Sequence, residues 1–67
     1  MVERLRVLIA DDEPDVREAL AQLLSGSPGL EVVGLAADAA EAIELAREHR
    51  PDVALLDVRM PAGGGPR

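Results

Sequence analysis

The feature that most constrains the fold is a regular alternation of short apolar runs with longer amphipathic segments. Three runs rich in Val, Leu and Ile occupy residues 5–10, 30–36 and about 53–57. Two segments with helical periodicity, about 14–25 and about 38–50, separate the three runs. Strands that alternate with helices indicate βαβ units and a parallel sheet. The sequence therefore predicts an α/β fold with the element order β-α-β-α-β.

The third apolar run, Val53 to Leu56, leads directly into Asp57. A continuous apolar run bounded by turn residues is typical of a strand that is buried on both faces. In open α/β sheets, ligands bind beyond the carboxyl ends of the strands, and Asp57 lies at that end. Taken alone, an aspartate in this position more often only caps the strand or begins a turn.

The first run ends in three consecutive acids, Asp11, Asp12 and Glu13, and Pro14 follows them. Because proline is favoured in the first turn of a helix, we expect the first helix to begin here. Asp12 or Glu13 would then act as its N-cap or complement its dipole. Apolar residues at helical spacing predict one buried face: Val16, Ala19, Leu20, Leu23 and Leu24.

Local signals also mark the second strand and the second helix. Gly34 within its strand indicates a close backbone approach or a weak edge. Asp38 with Glu41 three residues later resembles a capping box at the start of the helix. His49 falls in the last turn, where a positive charge complements the dipole, and we favour this role over a catalytic one. A slim face is predicted to be buried: Ala39, Ala42, Ile43 and Ala46.

The order of the strands decides which acids meet. If the second helix crosses back over the first strand, right-handed crossovers give a parallel sheet with the strand order 2-1-3. The first and third strands then lie side by side at a topological switch point. Asp11, Asp12 and Asp57 would come together there, from strands roughly 5 Å apart.

Three carboxylates in such proximity repel one another. Two unit charges 4 Å apart cost about 4 kcal/mol at an effective dielectric constant near 20. A hard divalent cation relieves this repulsion, and Mg²⁺ prefers carboxylate oxygens and often bridges to a phosphate. The sequence therefore predicts a Mg²⁺ site, with solvated acids at a loop edge as the alternative.

The composition limits the partners and the location of the chain. Its 67 residues allow one domain at most, and the net charge of −6 argues against direct contact with nucleic acid or an anionic membrane. The absence of cysteine excludes a disulfide framework and a thiolate metal site. No stretch resembles a signal peptide or a membrane span, so we expect a cytoplasmic location.

These motifs together resemble the N-terminal part of the response-regulator receiver domains of two-component signalling. The combination is specific: an acidic pair after a strand, an aspartate ending a later strand, and Met-Pro three residues beyond it. The segment Leu30 to Arg59 also resembles regulators that carry a LuxR-type helix-turn-helix output domain. The resemblance implies a flavodoxin-like (CheY-like) doubly wound sheet with the strand order 2-1-3-4-5. The matching residues are Val7–Pro14, Arg50–Val53, Leu55–Pro61 and Gly65.

The resemblance also implies a role for individual residues. Asp57 matches the residue that accepts a phosphoryl group from a sensor histidine kinase. Asp12 matches the direct Mg²⁺ ligand, and Asp11 matches the acid that holds the metal through water. The backbone carbonyl of Arg59 matches a third protein ligand. Phosphorylation in this family switches an output domain, which we expect to be a transcriptional one, and the receiver itself is not an enzyme.

Some features of the family are absent from this chain. The family uses a Ser or Thr after strand four, and a Lys and an aromatic residue in strand five, whereas this chain has no Lys, Thr or aromatic residue. We therefore expect residues 1–67 to be the front half of a receiver domain, with little stable phosphorylation of its own. Val53 to Leu56 would then become an exposed edge through which the chain self-associates. Leu8, Val53 and Leu55 would lose packing partners.

Two other functions stay open at this point. The half-domain could be a structural or interaction module that assembles with another chain and is never phosphorylated. An enzyme of the flavodoxin-like or small-hydrolase kind fits less well, because no Gly-rich phosphate loop follows the first strand.

Overall fold

The computed structural model describes residues 4–57 as one parallel sheet with two helices. The three strands are parallel in the order β2-β1-β3, so the predicted fold class and strand order are confirmed. The elements are β1 (Leu5–Ala10), α1 (Pro14–Ser25), β2 (Leu30–Ala36), α2 (Ala39–His49) and β3 (Val53–Leu56).

The central strand β1 carries most of the buried surface. Its residues Val7 to Ala10 are all buried, because β1 lies between the two other strands and both helices pack against it. The pairing with β2 shifts after Val7: Val7 lies opposite Val32, whereas Leu8 lies opposite Gly34. Val33 is therefore an extra residue in β2, a bulge that is unusual between parallel strands.

The core between α2 and the sheet is built around Gly34. A Cβ atom at Gly34 would lie 3.0 Å from Leu8 Cδ1 and 3.4 Å from Leu45 Cδ1, which confirms the predicted close approach. The buried cluster consists of Leu8, Ala10, Ala36 and Ala42, with Leu45 and Ala46 packed against it.

The predicted buried face of α2 is partly wrong. Ala42 is buried as expected, but Ile43 is 53% exposed, and Leu45 packs against the core in its place. The physical reason is the shape of the sheet surface. The missing side chain at Gly34 leaves space that the longer Leu45 side chain fills, and this rotates Ile43 towards solvent.

The prediction that α1 buries its apolar face is also wrong for residues 4–57. No residue of α1 is buried, and Leu23 is 69% exposed. Leu20 and Leu24 are half-buried, whereas Val16 and Ala19 are exposed. The helix packs over β1 and β2 but not over β3, so part of its apolar face borders open clefts beside β3.

The third strand is exposed along its whole length, contrary to the prediction that it is buried on both faces. Within the described part of the chain, neither helix packs against β3, and Leu56 is 58% exposed. Val53 and Leu55 are exposed, as expected for residues that lack packing partners. Leu8, for which the same loss was expected, is only 2% exposed because the α2 side of the sheet covers it.

Hydrogen bonds define both ends of α2. Asp38 Oδ1 accepts a hydrogen bond from the Glu41 N–H at 2.8 Å, which confirms the predicted cap. Glu41 Oε1 accepts from the Ala37 N–H at 2.7 Å, one residue before the position that a capping box uses. The C-cap residue is Arg50, which adopts a left-handed conformation with φ 50° and donates its N–H to the Ala46 carbonyl.

None of the helices in residues 4–57 is long and apolar enough to cross a membrane.

Candidate metal centre at the carboxyl edge of the sheet

Two neighbouring strands bring the acidic residues to one edge of the sheet. The Asp57 N–H donates to the Ala10 carbonyl at 3.0 Å, so the β1–β3 ladder continues one residue past β3. The Asp11 N–H donates to the Ala36 carbonyl, also at 3.0 Å. Both acids are therefore positioned by main-chain hydrogen bonds, each at the first residue beyond the end of its strand.

The three predicted site acids lie close together. Asp11, Asp12 and Asp57 each offer a carboxylate oxygen, and these oxygens all lie within 4.8 Å of one another. Their environments differ: Asp11 is 8% exposed, Asp57 is half-buried and Asp12 is exposed. Three hard oxygen donors with one open side match the ligand preferences of Mg²⁺, which keeps several of its waters. The arrangement can therefore hold a hard divalent cation.

Asp11 shapes the turn that carries two of these acids. Its Oδ1 accepts a hydrogen bond from the Glu13 N–H at 2.9 Å, which is the geometry of an Asx-turn. Glu13 is the N-cap residue of α1, but its side chain makes no capping hydrogen bond. The expectation that Asp12 or Glu13 acts as the N-cap is therefore confirmed for the position of Glu13, and Asp11 supplies the side-chain hydrogen bond of this turn.

Arg17 is a site residue that the sequence reasoning missed. Its Nη1 donates to the main-chain carbonyl oxygen of Asp11 at 2.7 Å, from the first turns of α1. Arg17 lies off the apolar face that the helical spacing predicts for α1. A signal was nevertheless present, because a cation near a helix N-terminus opposes the helix dipole and calls for a compensating partner.

A cleft of about 260 Å³ opens beside the acids. Its volume falls just below the roughly 300–1,000 Å³ of typical small-molecule pockets. Polar residues line one part of the cleft and apolar side chains line the rest: Asp11, Glu13 and Asp57, then Ala10, Val16, Leu20, Leu55 and Leu56.

The remaining predicted site residue, Arg59, lies outside residues 4–57, as do Met60, Pro61 and Gly65. Its carbonyl therefore stays a predicted ligand.

A known protein family includes the segment that contains these acids. The sequence matches the family described as the response regulator receiver domain over residues 7–67. The chain belongs to the response regulator receiver domain family. Receiver domains of response regulators are signalling domains, which agrees with the resemblance noted in the sequence.

Relatives show how far the family membership extends. The chain is 51% identical over 63 residues to a protein named the probable transcriptional regulatory protein NarL of Mycobacterium tuberculosis. This match covers 94% of this chain and 29% of that protein. The chain is also 48% identical over 61 residues to a protein-glutamate methylesterase/protein-glutamine glutaminase of Anaeromyxobacter dehalogenans, which covers 91% of this chain and 17% of that protein. The chain thus spans less than a third of either relative.

A solved structure extends the similarity to the fold. The signal receiver domain of NarL from Mycobacterium tuberculosis superposes with a TM-score of 0.84 at 52% sequence identity. The match covers 88% of this chain and 48% of that domain, so this receiver segment spans about half the length of its solved relative.

Proposed function

We propose that this segment is the phosphoacceptor part of a receiver domain, in which Asp57 accepts a phosphoryl group from a sensor histidine kinase. The observation that carries the proposal is the convergence of the Asp11, Asp12 and Asp57 carboxylates within 4.8 Å at one sheet edge. Membership of the receiver family supports the assignment of the acceptor to the acid that follows β3.

The chemistry follows from the residue types. A carboxylate oxygen of Asp57 attacks the phosphorus of a phosphohistidine, the P–O bond forms as the P–N bond breaks, and the imidazole leaves with the electron pair. The product is an acyl phosphate. When bound, Mg²⁺ neutralises the negative charge that collects on the phosphoryl oxygens. Asp11, Asp12 and Asp57 would hold the ion together with the Arg59 carbonyl.

The burial of the acids supports a division of labour. Asp12 is exposed and can turn its carboxylate directly to an ion, which fits a direct ligand. Asp11 is buried and its Oδ1 is already engaged by the Glu13 N–H, which fits a ligand that acts through water. Asp57 lies half-buried beside the cleft, where a phosphoryl donor can reach it.

We further propose that the full-length protein is a cytoplasmic transcriptional regulator of the NarL type, switched by phosphorylation of this segment. The similarity to NarL favours a transcriptional output. The methylesterase relative contains a similar segment in a protein with a different activity. The net charge of −6 argues against DNA contact by the segment itself.

Residues 1–67 correspond in this proposal to the N-terminal half of the receiver, and the rest of the active site comes from the second half. The chain contains no Lys to pair with phosphoryl oxygens. The exposed β3 would be covered by that half, or by a second copy of this chain. A half-domain that serves only as an interaction module is the alternative, and it needs neither Mg²⁺ nor Asp57 chemistry.

A fusion tests the proposal. Residues 1–67 joined to the second half of the NarL receiver domain, with Mg²⁺ and a small-molecule phosphodonor, should incorporate acid-labile phosphate. Asp57→Asn should abolish incorporation, because an amide cannot act as the nucleophile. Asp15→Asn, an acid in the first turn of α1, is the matched control and should retain the label. Wild-type labelling in the Asp57→Asn fusion would overturn the assignment.

A further inference from the structure

Every polar part of Asp11 that faces the turn has a defined partner. Its N–H donates to the Ala36 carbonyl, its Oδ1 accepts from the Glu13 N–H, and its carbonyl accepts from Arg17 Nη1 at 2.7 Å. The Arg17 contact is the only one of the three that comes from a charged side chain. Its acceptor, the Asp11 carbonyl, belongs to the peptide group that joins Asp11 to the next acid, Asp12.

The reason is the planarity of the peptide bond. The carbonyl of Asp11 and the N–H of Asp12 belong to one rigid plane, so a partner that fixes the oxygen also fixes the N and Cα atoms from which the Asp12 side chain starts. Asp12 itself is exposed, and burial therefore does not hold its carboxylate towards Asp11 and Asp57. The Arg17 hydrogen bond restrains the main chain at Asp12, which packing does not do.

Stability of α1 alone does not explain an arginine at this position. The helix begins at Pro14, so Arg17 places a cation at the end of the first turn, where the dipole disfavours positive charge. A charge-assisted bond to the Asp11 carbonyl and the proximity of three acids offset that penalty.

We propose that Arg17 is a positioning residue of the acidic site, which holds the Asp11–Asp12 peptide so that the Asp12 carboxylate is oriented for a divalent cation. This inference rests on the proposed function, since it names a residue that prepares the same site. Arg17 acts through the main chain and does not itself touch the ion.

The direction in which Arg17→Met changes the Mg²⁺ affinity separates a positioning role from a purely electrostatic one. If Arg17 contributed only its charge, Arg17→Met would remove a repulsive cation and tighten Mg²⁺ binding. Positioning predicts the opposite: binding about tenfold weaker, the lower end of what contacts to ligating residues contribute. Arg17→Lys should recover part of the affinity, because an ammonium group can still donate to the carbonyl.

Arg47→Met is the matched control, since it removes the same charge from an exposed position in the last turn of α2. Its Mg²⁺ affinity should stay within about twofold of wild type, as expected for a remote surface charge in salt. Unchanged or tighter binding in Arg17→Met, or equal weakening in both variants, would overturn the proposal.

Hydrogen exchange of the Glu13 amide gives a second readout that needs no metal. In the Arg17→Met chain this amide should exchange about tenfold faster, because the turn opens locally, while the amides of β1 keep their protection. An unchanged Glu13 rate would overturn the positioning role. A wild-type chain without any Mg²⁺ response would overturn the proposed function, and the Glu13 rate would then decide the role of Arg17 by itself.

Discussion

Asp11 is the residue whose surroundings explain most of the site geometry. In the sequence it is one of three adjacent acids, and only the family resemblance gives it a role of its own. In the structure it is buried, and its carboxylate organises the turn into α1 by accepting the Glu13 N–H. A buried carboxylate is tolerated when hydrogen bonds compensate its desolvation, and here the Glu13 N–H supplies such a bond.

At the residue scale, Arg50 offers a test of backbone strain. Its φ of 50° lies in the left-handed region, which costs a non-glycine residue roughly 1–2 kcal/mol. Arg50→Gly should therefore raise the free energy of unfolding by about 0.5–1 kcal/mol after the larger chain entropy of glycine is subtracted. Its carbonyl, which accepts from Arg6 Nη1, is kept in the variant. Urea denaturation at fixed protein concentration measures the change.

The control for this prediction is Arg47→Gly, which places the same substitution inside α2. That variant should be destabilised by about 1 kcal/mol, because glycine is unfavourable in a helix interior. If both substitutions lowered the stability equally, the left-handed conformation of Arg50 would not be a source of strain.

At the scale of elements, the contact between α2 and β2 depends on Gly34. The bulge in β2 brings Gly34 opposite Leu8, and the absence of a side chain there lets Leu45 approach the sheet. A helix of small residues can then lie close to the strands, and this contact contributes much of the buried core.

Gly34→Val should separate α2 from the sheet. Its Cβ would meet Leu8 Cδ1 at 3.0 Å before the two extra methyl groups are added, so overpacking should cost about 1–3 kcal/mol. Gly29→Val is the control, since a Cβ at Gly29 meets nothing within 4 Å, and its effect should stay within about 0.5 kcal/mol. A Gly34→Val chain as stable as the Gly29→Val chain would contradict this account of the core.

The element order, the strand order and the meeting of the acids could be predicted because they depend on periodicity and on general rules of handedness. The packed face of α2 could not, since Leu45, three residues after Ala42, fits helical spacing as well as Ile43, four residues after Ala39, does. The surface left by Gly34 decides between them. The acceptor of Arg17 could not be predicted either. A cation near a helix N-terminus indicates that a partner is needed, but every residue carries the same carbonyl, and spacing alone does not select one.

At the scale of the whole molecule, the exposed β3 is the main unsatisfied surface of residues 4–57. An apolar cleft of about 180 Å³ lies on the sheet between β3 and the end of α1. The acidic cleft adjoins it through the shared residue Leu55. The lining of the 180 Å³ cleft is entirely apolar: Leu5, Val7, Leu24, Leu30, Val53 and Leu55.

We expect the 67-residue chain to self-associate through β3, most simply as a two-fold dimer, or else to unfold partially. An exposed apolar edge strand is a template for pairing, and a lysine on the edge blocks it. Leu55→Lys should therefore reduce the molar mass measured by light scattering at high concentration. Leu23→Lys, on the exposed side of α1, is the control and should leave the association unchanged.

A monomeric mass at high concentration, together with a cooperative thermal transition, would contradict the expectation for the wild-type chain. That result would mean that the sheet tolerates an open third strand without a partner.

The central claim is that acids from two different strands act as one cation site, and a Mg²⁺ titration followed by NMR tests it most directly. The amides of Asp11, Asp12 and Asp57 should shift together with a single weak affinity. Asp12→Ala with Asp57→Ala should abolish the response. Asp15→Ala with Glu18→Ala removes the same charge from α1 and should preserve it. An equal Mg²⁺ response in the Asp12→Ala, Asp57→Ala chain would contradict the account.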